Sequence, residues 1–234
     1  MTEPTPQTTP QTTAHPTDAE LSADPELTHW RVLLGRLVAR WRTSSFAQGA
    51  DFLARVAAVA DELDHHPDVD LRYRHVTVTT VSHDVGRLTR RDRRLAVAVS
   101  AVAEELGLVP EPHGLSVLEV GLDVMVPADV APFWRAVLGY EPETEGGEND
   151  ALVDPAGRHA GLWFQQMEQP RTQRNRFHLD LTVPHDVVEE RLARALEAGG
   201  RLVTDEFAPA WWVLADAEGN EVCLCTWQGR GQDR

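Results

Sequence analysis

The residues best suited to chemistry are three histidines. His65 and His66 stand side by side ahead of Pro67, in Asp61-Glu62-Leu63-Asp64-His65-His66-Pro67, and His83 follows in Ser82-His83-Asp84. Imidazole titrates near neutral pH and can give or take a proton, so three of them converging on one pocket would suit general acid–base work. Asp61 before the pair and Asp92 beyond His83 are carboxylates that could orient an imidazole or hold charge beside it. Each also has a plainer reading. Asp61 fits a solvated helix face, and Asp92 is the acid a helix N-terminus wants three residues after Thr89.

The surrounding pattern says which elements must carry these groups. Ser45-Phe46-Ala47-Gln48 reads as a helix start with a capping box, and Phe46, Ala50, Leu53, Ala57 and Ala60 recur at helical spacing. This predicts a helix from Phe46 to about Asp64, with the His-His pair at its end. Pro67 forces His66 into an extended conformation, which puts the pair in a polar turn. Ahead of the helix, Trp30 to Leu34 and Leu37 to Thr43 flank Gly35-Arg36 and predict a hairpin. Leu71 to Val81 is a strand by composition, and Thr89 with Asp92 starts a second helix through Leu106, stopped by Gly107. The order strand, strand, helix, strand, helix is a small α+β layer with helices against a sheet.

Composition narrows the partners. The chain has 234 residues, 42% of them apolar, enough for one large or two small cores. All 22 basic residues are arginine and the net charge is −15, which argues against nucleic acid or an anionic membrane and for a small partner. No apolar run approaches the roughly 20 residues that cross a bilayer, so a soluble protein is expected. Cys223 and Cys225 lie too close together to close a useful loop, and a reducing cytoplasm fits best. Residues 21–107 hold 12 acids and 12 arginines, whereas 108–234 hold 22 acids and 10 arginines, so the chain divides into a neutral and an acidic half. The Pro/Gly-rich stretch after Leu108 marks the boundary. The expected plan is a disordered Thr/Pro/Gln tail over 1–20, a first domain over 21–108, a linker over 109–113 and a second domain over 114–230.

The run from Asp61 through His65-His66-Pro67, Tyr73 and His83 to Asp92, 32 positions long, resembles the signature of the pterin-4a-carbinolamine dehydratases. Weaker resemblance extends over Trp30 to Gly107. The segment Leu21 to His29 looks too short for the helix that usually precedes the first strand. The resemblance implies a hydro-lyase that removes water from 4a-hydroxytetrahydropterin to give quinonoid dihydropterin, with no metal or redox cofactor required. It makes His65 and His83 the proton-transfer pair and His66 a pterin contact. Asp61 and Asp92 would orient imidazoles or hold charge, and Trp30 and Tyr73 would line the pterin site. The rival reading is a pterin-binding or assembly module without turnover. Sheet edges and the resemblance together imply a homodimer or larger assembly.

The second half contains an internal repeat. Leu118 to Val124 can be laid on Phe177 to Val183, and Asp154-Pro155-Ala156-Gly157 on Asp216-Ala217-Glu218-Gly219. Helices are expected over Val130 to Leu138 and Val187 to Ala198, giving two paired βαβββ modules around a cleft. With Phe133-Trp134, Leu138-Gly139-Tyr140 and the Asp216 to Leu224 turn and strand, this half resembles the glyoxalase and bleomycin-resistance, or vicinal oxygen chelate, superfamily. That resemblance speaks for fold more than for reaction.

Its metal positions are irregular here. His178 matches the resemblance, Glu119 takes the corresponding position of the first module, and Cys223 falls where a glutamate is usual, with Glu221 two residues earlier on the same face and Gln165 as the first-module candidate. The leading expectation is a metal-free pocket for an unknown small ligand. The runner-up is a divalent metal held by His178, Glu119 and Glu221 in an isomerase or dioxygenase. Cys223 and Cys225 are expected as core thiols, and Trp211-Trp212 and Trp163-Phe164 as sheet packing. Arg171, Arg174 and Arg176 could anchor a carboxylate or phosphate.

Overall fold

The computed structural model describes residues 15–143, 151–171, 173 and 178–229. The chain divides into two compact units, one ending at Val117 and the other starting at Leu118. Among the described residues no helix is long and apolar enough to cross a membrane.

In the first unit the elements are α1 (Asp18–Ser22), β1 (Trp30–Leu33), β2 (Arg36–Arg42), α2 (Phe46–Leu63), β3 (Asp68–Arg72), β4 (His75–Thr80), α3 (Arg90–Glu105) and β5 (Val109–Pro110). The antiparallel sheet has the order β1-β2-β4-β3, with β5 added to β2. Leu34 and Gly35 both have positive φ, the geometry that closes a tight two-residue hairpin between β1 and β2. Trp41, Phe52, Val76, Val78, Leu95 and Val99 join sheet and helices in one core, which is the α+β layer the periodicity predicted.

Four expectations change. The run Leu71 to Val81 is a hairpin: β3 and β4 pair from Asp68↔Thr79 to Arg72↔His75, turning at Tyr73-Arg74. The expected tail is ordered at its end, because Thr17 and Glu20 form a capping box that starts α1. Leu21 and, in a following 3-10 turn, Leu27 are buried in the core, so helical structure does precede the first strand. Residues 109–113 are no free linker: Val109 pairs with Arg42 and Pro110 with Trp41, binding the segment to the first sheet. Residues 1–14 of the expected tail lie outside the described residues.

The second unit repeats one plan. Its first module is β6 (Glu119–Val124), α4 (Pro127–Leu138), β7 (Glu141–Pro142), β8 (Ala151–Val153) and β9 (Gly161–Gln166); its second is β10 (Leu179–Thr182), α5 (Val188–Glu197), β11 (Arg201–Thr204), β12 (Trp211–Ala215) and β13 (Glu221–Cys225). Each module makes a four-stranded sheet, β6-β9-β8-β7 and β10-β13-β12-β11, in which the first strand pairs parallel to the last. Both helices pack into one core with Leu152, Leu162, Leu214, Val222 and Leu224. Asp216 ties the modules together: wholly buried, it accepts from Trp134 Nε1 at 3.0 Å and from the Asn220 backbone at 2.8 Å.

Candidate functional site

The first site forms where α2 ends. Asp64 takes a left-handed conformation, φ 48° and ψ 44°, as the C-cap, and the His65 N–H bonds back to the Ala60 carbonyl. This turn sends the two neighbouring histidines opposite ways. His65 is buried, with Nε2 2.8 Å from Asp92 Oδ1, whereas His66 is exposed, with Nε2 3.0 Å from the exposed Asp61.

Asp92 is placed by α3. As the third helical residue it accepts from the Thr89 N–H at 2.8 Å, completing the capping box. Capping alone does not account for its other partners. Oδ1 also accepts from Thr80 at 2.8 Å, and Oδ2 from Ser82 at 2.7 Å and the Thr89 hydroxyl at 3.1 Å. Burial by itself would raise this carboxyl, but the hydrogen bonds from Ser82, His65, Thr80 and the Thr89 N–H outweigh it and hold Asp92 below the usual carboxylate range. An ionised Asp92 can only accept, so His65 donates its Nε2–H to it, which fixes the tautomer and leaves Nδ1 as the proton-accepting nitrogen. Thr80 and Ser82, not singled out from the sequence, therefore complete the site. Thr80 ends β4 at an inward position of a strand alternating half-buried and buried, which is the signal that could have found it.

His83 is exposed and follows directly on Ser82, whose hydroxyl donates to Asp92; among the described residues its side chain makes no hydrogen bond. Two expected pterin contacts fall elsewhere. Trp30 is a core residue, 3% exposed, with its indole N–H donated to Ser100 at 3.0 Å and its ring edge-on to Trp41. Tyr73 sits at the β3–β4 turn, 71% exposed, with Arg74 over its ring.

The second unit holds a cleft of about 520 Å³ whose lining includes Leu122, Met125, Trp134, Met167, Arg171 and His178. Glu221 also lines it, whereas Glu119 does not. Arg171 lies 3.7 Å from Asp123; Arg174 and Arg176 lie outside the described residues. The expected set His178, Glu119 and Glu221 does not converge. Among the described residues, the donor atoms that come together within 4.8 Å are those of His178, Asp180 and Cys223. His178 directly precedes β10, two residues before Asp180, and the parallel register sets Asp180 beside Cys223 on β13. His178 Nδ1 is 2.9 Å from Asp180 and 3.8 Å from Cys223 Sγ. Burial first, then the Asp180 carboxylate, push the Cys223 thiol up to about 12. Cys223 and Cys225 are both buried and reduced, packed with Val213 and Trp211.

Comparison with known proteins assigns each unit a separate relationship. Residues 12–102 match the family described as Pterin 4 alpha carbinolamine dehydratase, and residues 119–225 that described as Glyoxalase-like domain. A protein of Nitrobacter hamburgensis, provisionally named a pterin-4-alpha-carbinolamine dehydratase, is 41% identical over 93 residues, which are 39% of this chain and 92% of the relative. One of Mycolicibacterium smegmatis with the same provisional name is 36% identical over 84 residues, 36% of this chain and 89% of its own. A crystal structure of a glyoxalase/bleomycin resistance protein/dioxygenase family enzyme from Burkholderia phytofirmans aligns at a TM-score of 0.38 and 17% identity, covering 46% of this chain and 95% of that one.

Proposed function

The chain belongs to the pterin-4a-carbinolamine dehydratase family through its first unit, and from that premise we propose that it is a 4a-hydroxytetrahydrobiopterin dehydratase with an accessory glyoxalase-like domain that binds a small molecule. The observation that carries the reading is the buried His65–Asp92 pair, because it supplies an imidazole with a defined tautomer and a fixed counter-charge. In the reaction His65 Nδ1 takes the N5 proton of 4a-hydroxytetrahydropterin while His83 protonates the 4a-hydroxyl, which leaves as water; the N5–C4a double bond of quinonoid dihydropterin forms from the released electron pair. Asp92 stabilises the imidazolium that develops on His65, by the logic of a carboxylate behind a histidine base. The exposed His83 regains its proton from solvent, and His65 returns its own the same way. His66, steadied by Asp61, holds the pterin. The protein works in the cytoplasm as a homodimer or larger assembly.

The test is the rate at which the purified full chain forms quinonoid dihydropterin over the buffer rate. His83→Ala, at an exposed position that the fold does not need, should lower that rate by roughly 10²–10⁴-fold, the usual worth of a general acid, while pterin binding persists. Tight pterin binding at the buffer rate by the unaltered chain would replace the enzyme with a pterin-binding module.

A further inference from the structure

The donor cluster of the second unit has a chemistry that the proposed dehydratase reaction does not use. His178, Asp180 and Cys223 bring one nitrogen, one carboxylate and one sulfur atom to the same point of the β10–β13 pair. Two strands fix this arrangement, because Asp180 and Cys223 face each other across the ladder and His178 enters β10 two residues before Asp180. The imidazole Nδ1 is the hub, 2.9 Å from the carboxylate and 3.8 Å from the sulfur. Zinc bonds of about 2.3 Å to sulfur and 2.0–2.1 Å to nitrogen at a tetrahedral angle separate those two atoms by about 3.5 Å. The pair therefore needs to close by only about 0.3 Å, and the nitrogen–oxygen pair to open by about 0.5 Å.

We propose that His178, Asp180 and Cys223 form a site for a borderline-soft divalent metal, zinc in kind, with its fourth position open. The thiolate selects against magnesium and calcium, which prefer oxygen alone, and favours zinc or cobalt(II). Three protein ligands and one vacant position are the composition of a zinc site that takes water or an oxygen-bearing ligand, not of a closed structural one. His178 belongs both to this set and to the wall of the 520 Å³ cleft, so a small oxygen-donor molecule in the cleft is the class of ligand the open position would take. The set differs from the His178, Glu119 and Glu221 arrangement implied by resemblance, since it draws its carboxylate from the middle of β10 and its third ligand from sulfur. As the metal–sulfur bond forms, the Cys223 thiol proton leaves to solvent, one per metal bound.

The full chain, stripped with chelator and titrated with cobalt(II), should bind one ion with a thiolate-to-cobalt charge-transfer band in the near ultraviolet, displaced by zinc. Cys223→Ser should abolish the band, and Asp180→Asn should keep it. Both should weaken binding by more than roughly tenfold, since losing a ligand costs at least what losing an outer-sphere partner does. Asp180 is half-exposed, so its variant reports on the metal even if the Cys223 variant fails to fold. A bound cobalt without the sulfur band would overturn the proposal. So would affinity that is unmoved by Asp180→Asn and lost in Glu119→Gln.

Discussion

The two units each contain a histidine–carboxylate pair, with nearly the same contact distance and opposite surroundings. His65 Nε2 is 2.8 Å from Asp92, and His178 Nδ1 is 2.9 Å from Asp180. Asp92 is wholly buried, and each of its oxygens accepts from at least two donors, so its lone pairs are spent on hydrogens. Asp180 is half-exposed, with a reduced thiol beside it in place of a ring of hydroxyls. The same two side chains thus serve different ends. A saturated carboxylate can only hold an imidazole and its proton, whereas one with free lone pairs next to sulfur can take a cation.

The largest effect that would test this contrast is on stability. Asp92→Ala strands the buried Thr80 and Ser82 hydroxyls, His65 Nε2 and the Thr89 N–H, and should cost about 3–5 kcal/mol, the range for breaking a buried pair by removing one partner. Asp180→Ala removes a contact between two side chains each 50% exposed and should cost less than about 1 kcal/mol. Urea unfolding followed by far-ultraviolet circular dichroism measures both. Equal losses would mean that burial does not distinguish the pairs.

How far each pair could be read from sequence follows from the range of its contacts. Thr89 and Asp92 lie within one helical turn, so the capping box was legible, as was the start of α2 at Ser45; there, however, Gln48 accepts from the Ser44 N–H instead of completing the box at Ser45. The β3–β4 hairpin was hidden because its turn, Tyr73-Arg74, has neither glycine nor asparagine, and Tyr73 is itself a strand former ahead of the Val/Thr run from Val76. The start of α1 was read as tail because threonine, proline and glutamine dominate ahead of it, and β5 as linker because Pro110, Pro112 and Gly114 crowd around it, while burial of Leu21 and pairing with Arg42 are long-range. Likewise Asp180 was not singled out beside His178, because only the register of β10 against β13 brings Cys223 to it and makes the three a cluster.

A smaller effect, confined to the first pair, should appear in acid. Hydrogen bonding lowers the Asp92 carboxyl in the folded state, so at low pH the unfolded chain binds more protons than the folded one. The stability Asp92 contributes is complete above the ordinary carboxylate range and is lost as pH falls through that range toward the lowered folded value. Urea midpoints of the intact chain should therefore fall in acid more steeply than those of Asp92→Asn. Other carboxylates and the overall negative charge are common to both proteins, so the difference in slope isolates this group. Parallel curves would remove the claim that Asp92 is held ionised.

The smallest effect concerns why the first βαβββ module has no counterpart of the second pair. The β6–β9 register sets Gly121 beside Trp163, as β10–β13 sets Asp180 beside Cys223. The indole lies over the glycine so closely that a Cβ there would come 2.9 Å from Cζ2 and 3.0 Å from Cε2. An aromatic ring therefore fills the place where the second module presents a carboxylate and a thiol, and a ring supplies no ligand. Gly121 is absent from the positive-φ residues, so alanine suits its backbone, and restricting the unfolded chain should favour the variant by about 0.4–1 kcal/mol. Against that stands displacement of the indole, which is cheap because Trp163 is 38% exposed and has room to tilt outward. Gly121→Ala should then change stability by less than about 1 kcal/mol, within the range of substitutions that meet no packed core, while shifting the emission of Trp163 relative to a Trp163→Phe control. A loss of more than about 2 kcal/mol would show the ring to be fixed as part of the core, and its position over Gly121 would then follow from packing in the first module alone.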